Sequence, residues 1–453
     1  MSYSITELET VSVRRLLWRY ALPAIIAMTV SSLYNLVDSI FIGRCVGPLA
    51  LSALAIAKPL MDICAAFGAM IGVGGGAFLS IKLGEKDYHT ANQILGNVIV
   101  FNILLGMVVM IAGLLFLDEL LLLCGASNDT LFYAHSYMEV ILYGNIFTHI
   151  YFGLNNLLRS MGKPKIAMYA TIVAVITNIF LDYLFVYVMG MGTRGAAWGT
   201  VIAQTVAICL QIFIYCNRRQ LLHFQRNIWK PTVYMAKNIL TIGIAPFLMN
   251  LAICFVVIIL NNQLKTYGGD LSIASFGIIN RVTFIFMMIV MGLNQGMQPI
   301  VGYNFGAKRF DRMWQAFKLT SIFATIIMGV VFLLGECIPR PLIMMFTEDQ
   351  TLIEQTIKPM RIITSTGLVI GFQMVTINFF TSIGQVKKSI FLSLTRQVIY
   401  FIPLCLILPK FVTPNINGVW FSLPISDVLA AITTTIILLR EIKRIKNGTD
   451  ISY

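Results

Sequence analysis

The stretch IAMYATIVAVITNIFLDYLFVYVM, residues 166–189, runs for 24 residues with a single charged side chain, Asp182. As a helix rising 1.5 Å per residue it is about 36 Å long, enough to cross a hydrocarbon core of about 30 Å. A charged side chain at the centre of such a span costs roughly 3 kcal/mol even on lenient scales, so acids found there face a cavity and are functional by default. A second acid, Asp38, lies in another apolar run over residues 16–43. The two aspartates turn a membrane-spanning chain into one that binds a cation or proton inside the membrane.

Working outward, the same pattern recurs along all 453 residues, which are 58% hydrophobic and only 12% charged. A soluble domain carries roughly a quarter charged residues. Twelve spans are expected, at 16–43, 50–80, 91–117, 131–158, 166–189, 195–216, 239–264, 272–301, 316–335, 359–382, 389–409 and 416–440. The first follows a polar, partly acidic stretch (Ser2–Thr10) and is too long for a signal-peptide core, so it is retained. Net charge is +13, yet the basic residues are not a nucleic-acid patch. With the spans taken alternately in and out, 23 of the 33 Lys and Arg fall on the side that holds both termini. The opposite side receives Arg44, Lys58, Arg194, Lys265, Arg340, Lys358, Arg361 and Lys410, with Arg281 and Arg396 inside spans. The positive-inside rule then puts both termini in the cytoplasm, for a chain in the inner membrane. The eight cysteines contain no CxxC pair and the four histidines no ligand spacing, so neither a disulfide framework nor a metal centre is expected.

The chain repeats itself at an offset of 222 residues: Gly47 with Gly269, Gly84 with Gly306, Lys86 with Lys308, Asn156 with Asn378, Ser160 with Ser382, Gly162 with Gly384 and Trp198 with Trp420. Six helices per copy is an even number, so both copies insert in the same orientation, related by an axis along the membrane normal. The expected fold is therefore an all-α polytopic membrane protein, twelve transmembrane helices in two pseudo-symmetric six-helix bundles. Residues 1–216 form the first lobe, 217–237 a basic cytoplasmic linker and 238–453 the second lobe.

Depth brings the candidate residues together. Asp38 lies roughly 27 Å along the first helix and Asp182 roughly 24 Å along the fifth, both counted from the same side. Asn178, four residues before Asp182, shares its face, and Thr200 lies one to two turns below the outer surface on the sixth helix. Tyr34 shares the Asp38 face. Two carboxylates, a carboxamide and a hydroxyl suit a hard cation such as Na⁺ and suit a proton equally. The second copy lacks the set: Tyr400, Leu404 and Ser422 stand at the equivalents of Asn178, Asp182 and Thr200. Asp62 and Asp427 also fall inside spans, either lining a cavity or locking helices; Arg396 and Arg281 are the available partners for Asp427. Pro23 removes one backbone hydrogen bond inside the first span and permits a kink. The glycine run Gly72–Gly76 lacks a phosphate-loop GK[ST], so it reads as a site of close helix approach.

These residues resemble the multidrug and toxic compound extrusion (MATE) family, in particular its MepA-like and DinF-like branch. The resemblance spans the chain: Pro23 with LYNLVDSIFIG (33–43), GVGGGAFLSIKLGEKD (72–87), LLRSMGKPK (157–165), TNIFLDYLF (177–185), GAAWGT (195–200), GLNQGMQPIVGYNFGAK (292–308) and TSIGQ (381–385). It implies a two-lobed antiporter, not an enzyme and with no cofactor, that expels cationic amphipathic drugs in exchange for H⁺ or Na⁺. It also implies a first-lobe cation site at Asp38, Asn178, Asp182 and Thr200, with a backbone carbonyl from Ala196. Tyr34 and Asn155 match cavity-lining positions of some members. Where the NorM-type branch has acids in the seventh and tenth helices, this chain offers Asn250, Gln373 and Asn378. A monomer in the lipid bilayer with no nucleic-acid partner is expected. The alternative is a lipid-linked oligosaccharide flippase of the wider superfamily, but such proteins have more helices and a more basic cavity.

Overall fold

The computed structural model describes residues 3–218 and 220–446, and among them every regular element is helical. In chain order these are α1 (Tyr3–Thr10), α2 (Val13–Cys45), α3 (Pro48–Gly84), α4 (Tyr88–Leu115), α5 (Leu117–Leu123), α6 (Asn128–Tyr143), α7 (Asn145–Ser160), α8 (Pro164–Asp182) and α9 (Gly192–Cys216). They are followed by α10 (Val233–Gly306), α11 (Phe310–Cys337), α12 (Pro339–Met344), α13 (Gln350–Thr364), α14 (Gly367–Ser382), α15 (Val386–Leu394), α16 (Ile402–Ile407) and α17 (Asn415–Lys446). Helix ends carry the chemistry expected of them. Asp87 accepts from Thr90 N at 3.0 Å to cap α4, and Thr232 from Met235 N at 3.2 Å to cap α10. Proline opens α3 and α8, where its missing N–H has no partner to lose.

Among the described residues, nine helical stretches are long and apolar enough to cross a membrane. Helix α10 contains two spans, because Gly269 (φ 69°, ψ −170°) breaks its 74 residues into antiparallel halves. Helices α13 and α14 form one span bent by 48°, and α6 and α7 meet at Gly144 to form another. The result is the expected twelve-span, all-helical membrane protein, with both termini on one side. That side also holds most of the basic residues and is called the basic side below. Lys58, placed by spacing on the opposite, far side, stands ten residues inside α3, whose 37 residues exceed what a span requires.

The backbone repeats the 222-residue register. Left-handed residues pair across it: Gly47 with Gly269, Gly162 with Gly384, and the non-glycines Lys86 (φ 62°) with Lys308 (φ 57°). The turns match too. Lys86 N donates to Leu83 O and Asp87 N to Lys82 O, while Lys308 N donates to Phe305 O and Arg309 N to Asn304 O.

The two copies meet backbone to backbone. A Cβ added to Gly84 would lie 2.0 Å from Tyr303 O, and one on Gly306 would lie 2.1 Å from Ile81 O. These are the same contact seen from both copies. Gly74 approaches Ile239 O and Gly243 approaches Met70 O equally closely, at 2.1 and 1.9 Å, while Gly292 and Gly296 receive Ile25 and Ala21 of α2. The glycine run of α3 thus serves close approach on two sides, Gly74 against α10 in this seam and Gly72, Gly75 and Gly76 against α7 and α4 of the first copy, and all the seam contacts fall in the basic-side halves of their helices. Gln298 Nε2 donates across it to Val73 O at 3.2 Å. Phe67 and Phe247, with ring centroids 4.6 Å apart, lie at its far-side limit. Beyond them Lys58, Asp62, Asn250 and Arg281 are exposed within their spans. Gly243→Val forces a side chain into the Met70 carbonyl. It should destabilise this seam by about 1–3 kcal/mol, the usual range for overpacking. Thiol labelling of single-cysteine probes on basic-side positions of α3 should rise, whereas a variant that labels like the wild type contradicts the close approach.

Candidate functional site

Helix α8 ends at Asp182 and continues as a π-helical segment, Tyr183–Val188, with Met189 N reaching Leu184 O. Such a widening inside a helix often marks a functional position. Helix α9 returns alongside and presents Gly199 and Thr200. A Cβ on Gly199 would lie 2.7 Å from Asp182 Oδ1, so the missing side chain is what lets the carboxylate sit against the α9 backbone. Asn178 Nδ2 lies 3.3 Å from Asp182 Oδ1 and 3.4 Å from Thr200 Oγ1. Turning the amide over lets it donate to Asp182 Oδ2 at 3.1 Å and accept from Thr200 N at 3.3 Å. That orientation is the better one, since each end of the amide then meets its complement. Ala196 is fully buried one turn before Thr200 on α9.

Helix α2 packs along α8 and supplies Asp38. Its side chain is 5% exposed and Asp182 is 0% exposed. Asp38 Oδ1 is buried without a hydrogen-bond partner among the described residues. A buried oxygen left unpaired loses its hydration with nothing in return. Asn178, Asp182 and Thr200 therefore meet at one spot, with Asp38 buried on the helix packed along α8, and these residues offer oxygen donors, which fit a hard cation or a proton.

Other expected residues go elsewhere. The Tyr34 side chain lies outside the described residues. Asn155 is buried on α7, and its amide donates to Ala167 O (3.0 Å) and Thr171 Oγ1 (3.3 Å), tying α7 to α8. Ala167 precedes Asp182 by 15 residues, roughly 22 Å along the helix, so Asn155 is far from the carboxylates. On α14, Gln373 is 2% exposed with Nε2 unpaired, and Asn378 accepts Ser382 Oγ through its backbone carbonyl at 2.7 Å. Pro23 is buried in the unbroken α2, between Ala21 and Ile25, which meet α10 at the seam.

The in-span charges divide. Arg396 Nε meets Asp427 Oδ1 at 2.6 Å, and Thr366 Oγ1 donates to Asp427 Oδ2 at 3.0 Å. This buried group locks three helices. Asp62 instead pairs with Lys58 of its own helix at 2.6 Å, both about half exposed. The i,i+4 spacing was readable in the sequence, whereas the Arg396–Asp427 pair needed the packing to select Arg396 over Arg281. His149, fully buried, contacts Cys64 O through Nε2 at 2.9 Å and ties α7 to α3.

The MatE family model matches this chain twice, over residues 23–184 and 245–407. The chain belongs to the MatE family. The two matches start 222 residues apart, the offset of the internal repeat. The chain is 28% identical over 435 residues to the multidrug export protein MepA of Staphylococcus aureus, covering 96% of this chain and 95% of that one. It is 27% identical over 423 residues to MepA of Staphylococcus haemolyticus, covering 93% and 92%. Among solved structures it is similar to an outward-facing multidrug resistance MATE family transporter of the MOP superfamily, with TM-score 0.90, 25% identity and coverage of 97% and 98%. A MATE transporter in the bent conformation superposes with TM-score 0.93 at 24% identity, over 98% of each chain, a likeness of fold. The chain is thus an integral membrane transporter of this multidrug efflux family and not an enzyme.

Truncating Asp427 to Leu leaves Arg396, 17% exposed, uncompensated, which should cost up to about 3 kcal/mol, the low end for a buried pair. Adding Arg396→Met should recover most of that loss in thermal unfolding of the purified transporter. A single variant as stable as the wild type contradicts the lock.

Proposed function

We propose that this transporter is a secondary antiporter that exports cationic amphipathic compounds in exchange for H⁺ or Na⁺ bound at Asp38, Asn178, Asp182 and Thr200. The Ala196 carbonyl is a further ligand in this reading. The observation that carries it is the Asp38 carboxylate oxygen, buried without a hydrogen-bond partner among the described residues, on a helix packed along the one that bears the buried Asp182. Two acids in so dry a site repel one another, and a bound cation relieves both the repulsion and the desolvation. The relatives' description as multidrug export proteins supports the cargo class.

In this reading residues 1–216 and 238–453 are two lobes joined by the linker 217–237, with both termini in the cytoplasm of the inner membrane. The glycine seam then closes the cytoplasmic side, and the exposed polar residues beyond Phe67 and Phe247 line an outward-open cleft. Cation entry at Asp38 changes the charge of the α2–α8 contact, and Pro23, set at the α2–α10 contact, is where α2 bends. Gln373 and Asn378, with Tyr34, offer neutral hydrogen-bonding groups to cargo, while Asn155 holds α7 against α8. Each positive charge moved inward down the membrane potential gains about 2.3 kcal/mol per 100 mV, roughly fiftyfold in an equilibrium.

Ethidium efflux from proteoliposomes with Na⁺ and pH gradients imposed separately tests this. One of the two gradients should accelerate efflux severalfold, and Asp38→Asn or Asp182→Asn should bring it down to the protein-free leak. Efflux that is unchanged in both variants would overturn the assigned roles.

A further inference from the structure

Two charged side chains of the second copy, Glu336 and Arg361, have no partner. Among the described residues neither side chain joins an ion pair or a hydrogen bond, whereas Arg340 of α12 and Glu354 of α13 take each other at 3.2 Å. Glu336 and Arg361 instead line one cavity of about 570 Å³, within the roughly 300–1,000 Å³ of small-molecule sites. The α13–α14 bend adds Ser365 and Thr366 to its wall, and α17 adds Phe421 and Leu429. Thr366 joins this wall to the Arg396–Asp427 pair, since its hydroxyl donates to Asp427 Oδ2.

The level of the two charges follows from their helices. Glu336 is the penultimate residue of α11, at its far-side end. Arg361 stands 21 residues, roughly 30 Å, from the basic-side end of its span at Ser382. A hydrocarbon core is about 30 Å thick, so both charges lie where far-side headgroups begin. From there the cavity runs inward along α17, where Leu429 is eight residues, roughly 12 Å, below Phe421. Exposed residues on α17 recur at steps of three and four from Phe421 through Ile425, Val428, Ile432 and Ile436 to Leu439. All are apolar over roughly 27 Å of helix. Ile322, Ile326, Val330 and Leu333 make a like stripe on α11 that leads up to Glu336. Apolar stripes this long, free of charge, are surfaces suited to lipid, and the cavity lies between them.

We infer that this cavity is a phospholipid site for the far-side leaflet, selective for a headgroup with both a phosphate and a primary ammonium, as in phosphatidylethanolamine. The Arg361 guanidinium matches the phosphate oxygens, the Glu336 carboxylate takes the ammonium, and an acyl chain lies on α17 between Phe421 and Leu429. Charge balance sets the selectivity. An anionic headgroup satisfies Arg361 but is repelled by Glu336, whereas a zwitterion satisfies both and leaves no charge over. A lipid seated here packs against both arms of the 48° bend. The inference requires only the membrane-spanning fold and is independent of which ion drives export.

Native mass spectrometry tests this with the purified, delipidated transporter and two lipids of identical acyl chains, phosphatidylethanolamine and phosphatidylglycerol. The wild type should hold phosphatidylethanolamine about tenfold more tightly. Glu336→Gln should abolish that preference, mainly by strengthening phosphatidylglycerol, a gain that a misfolded variant cannot give. Arg361→Gln should weaken both lipids about tenfold. Ile425→Trp, which fills the acyl part of the cavity and leaves both charges in place, should weaken both equally. A wild type that binds the two lipids alike, or prefers phosphatidylglycerol, overturns the inference without recourse to any variant. A preference that survives Glu336→Gln overturns it as well.

Discussion

One carboxylate oxygen, Asp38 Oδ1, is held inside the helical bundle with no hydrogen-bond partner among the described residues. In a membrane-spanning bundle neither lipid nor bulk water is at hand to compensate such a group, so the helices around it determine its state. The arrangement follows from that constraint. On α8, packed along α2, Asn178 links Asp182 to Thr200 of α9, the side-chain-free Gly199 lets that carboxylate sit against α9, and the π-helical segment after Asp182 ends the regular hydrogen-bond ladder there. The second copy has the scaffold without this chemistry, carrying Leu404 and Ser422 in place of Asp182 and Thr200. A duplicated frame with one-sided charge allows one half to sense an ion while the other serves as its counterpart in movement.

The two copies meet through glycine-to-carbonyl contacts on α3 and α10, confined to the basic-side halves of those helices, and through buried side chains of both copies that form one apolar core, with Phe78 against Tyr234 and Trp18 against Phe323. Polar links across this interface include Gln298 to Val73 O, Gln295 to the Met28 sulfur at 3.6 Å, the Arg309–Glu9 ion pair at 2.6 Å, and Arg312 donating to Leu8 O and Val11 O at 3.1 and 2.6 Å.

Much of this was legible in the sequence. Apolar runs set the spans, and the 222-residue register anticipated the backbone in detail, down to the left-handed conformations of Lys86 and Lys308. The convergence of Asp38, Asn178, Asp182 and Thr200 followed from counting 1.5 Å per residue, because straight helices convert sequence position into depth. Where helices stop being straight, or where lateral packing decides, the sequence was silent. The break at Gly144, the 48° bend between α13 and α14, and the choice of Arg396 over Arg281 by Asp427 all depend on neighbours distant in the chain. Asn155 illustrates the same limit. Matching a family position gave its residue type, but the α8 carbonyl it reaches is set by how α7 leans on α8.

The most direct measurement counts the cations released when a dye binds. Ethidium is added to the purified transporter at fixed pH, and released H⁺ and Na⁺ are read with a pH indicator and a Na⁺ electrode. A competing cation site at Asp38 and Asp182 predicts release of one cation per dye bound, lost in Asp38→Asn while dye binding persists. Release that continues undiminished in Asp38→Asn would contradict the account.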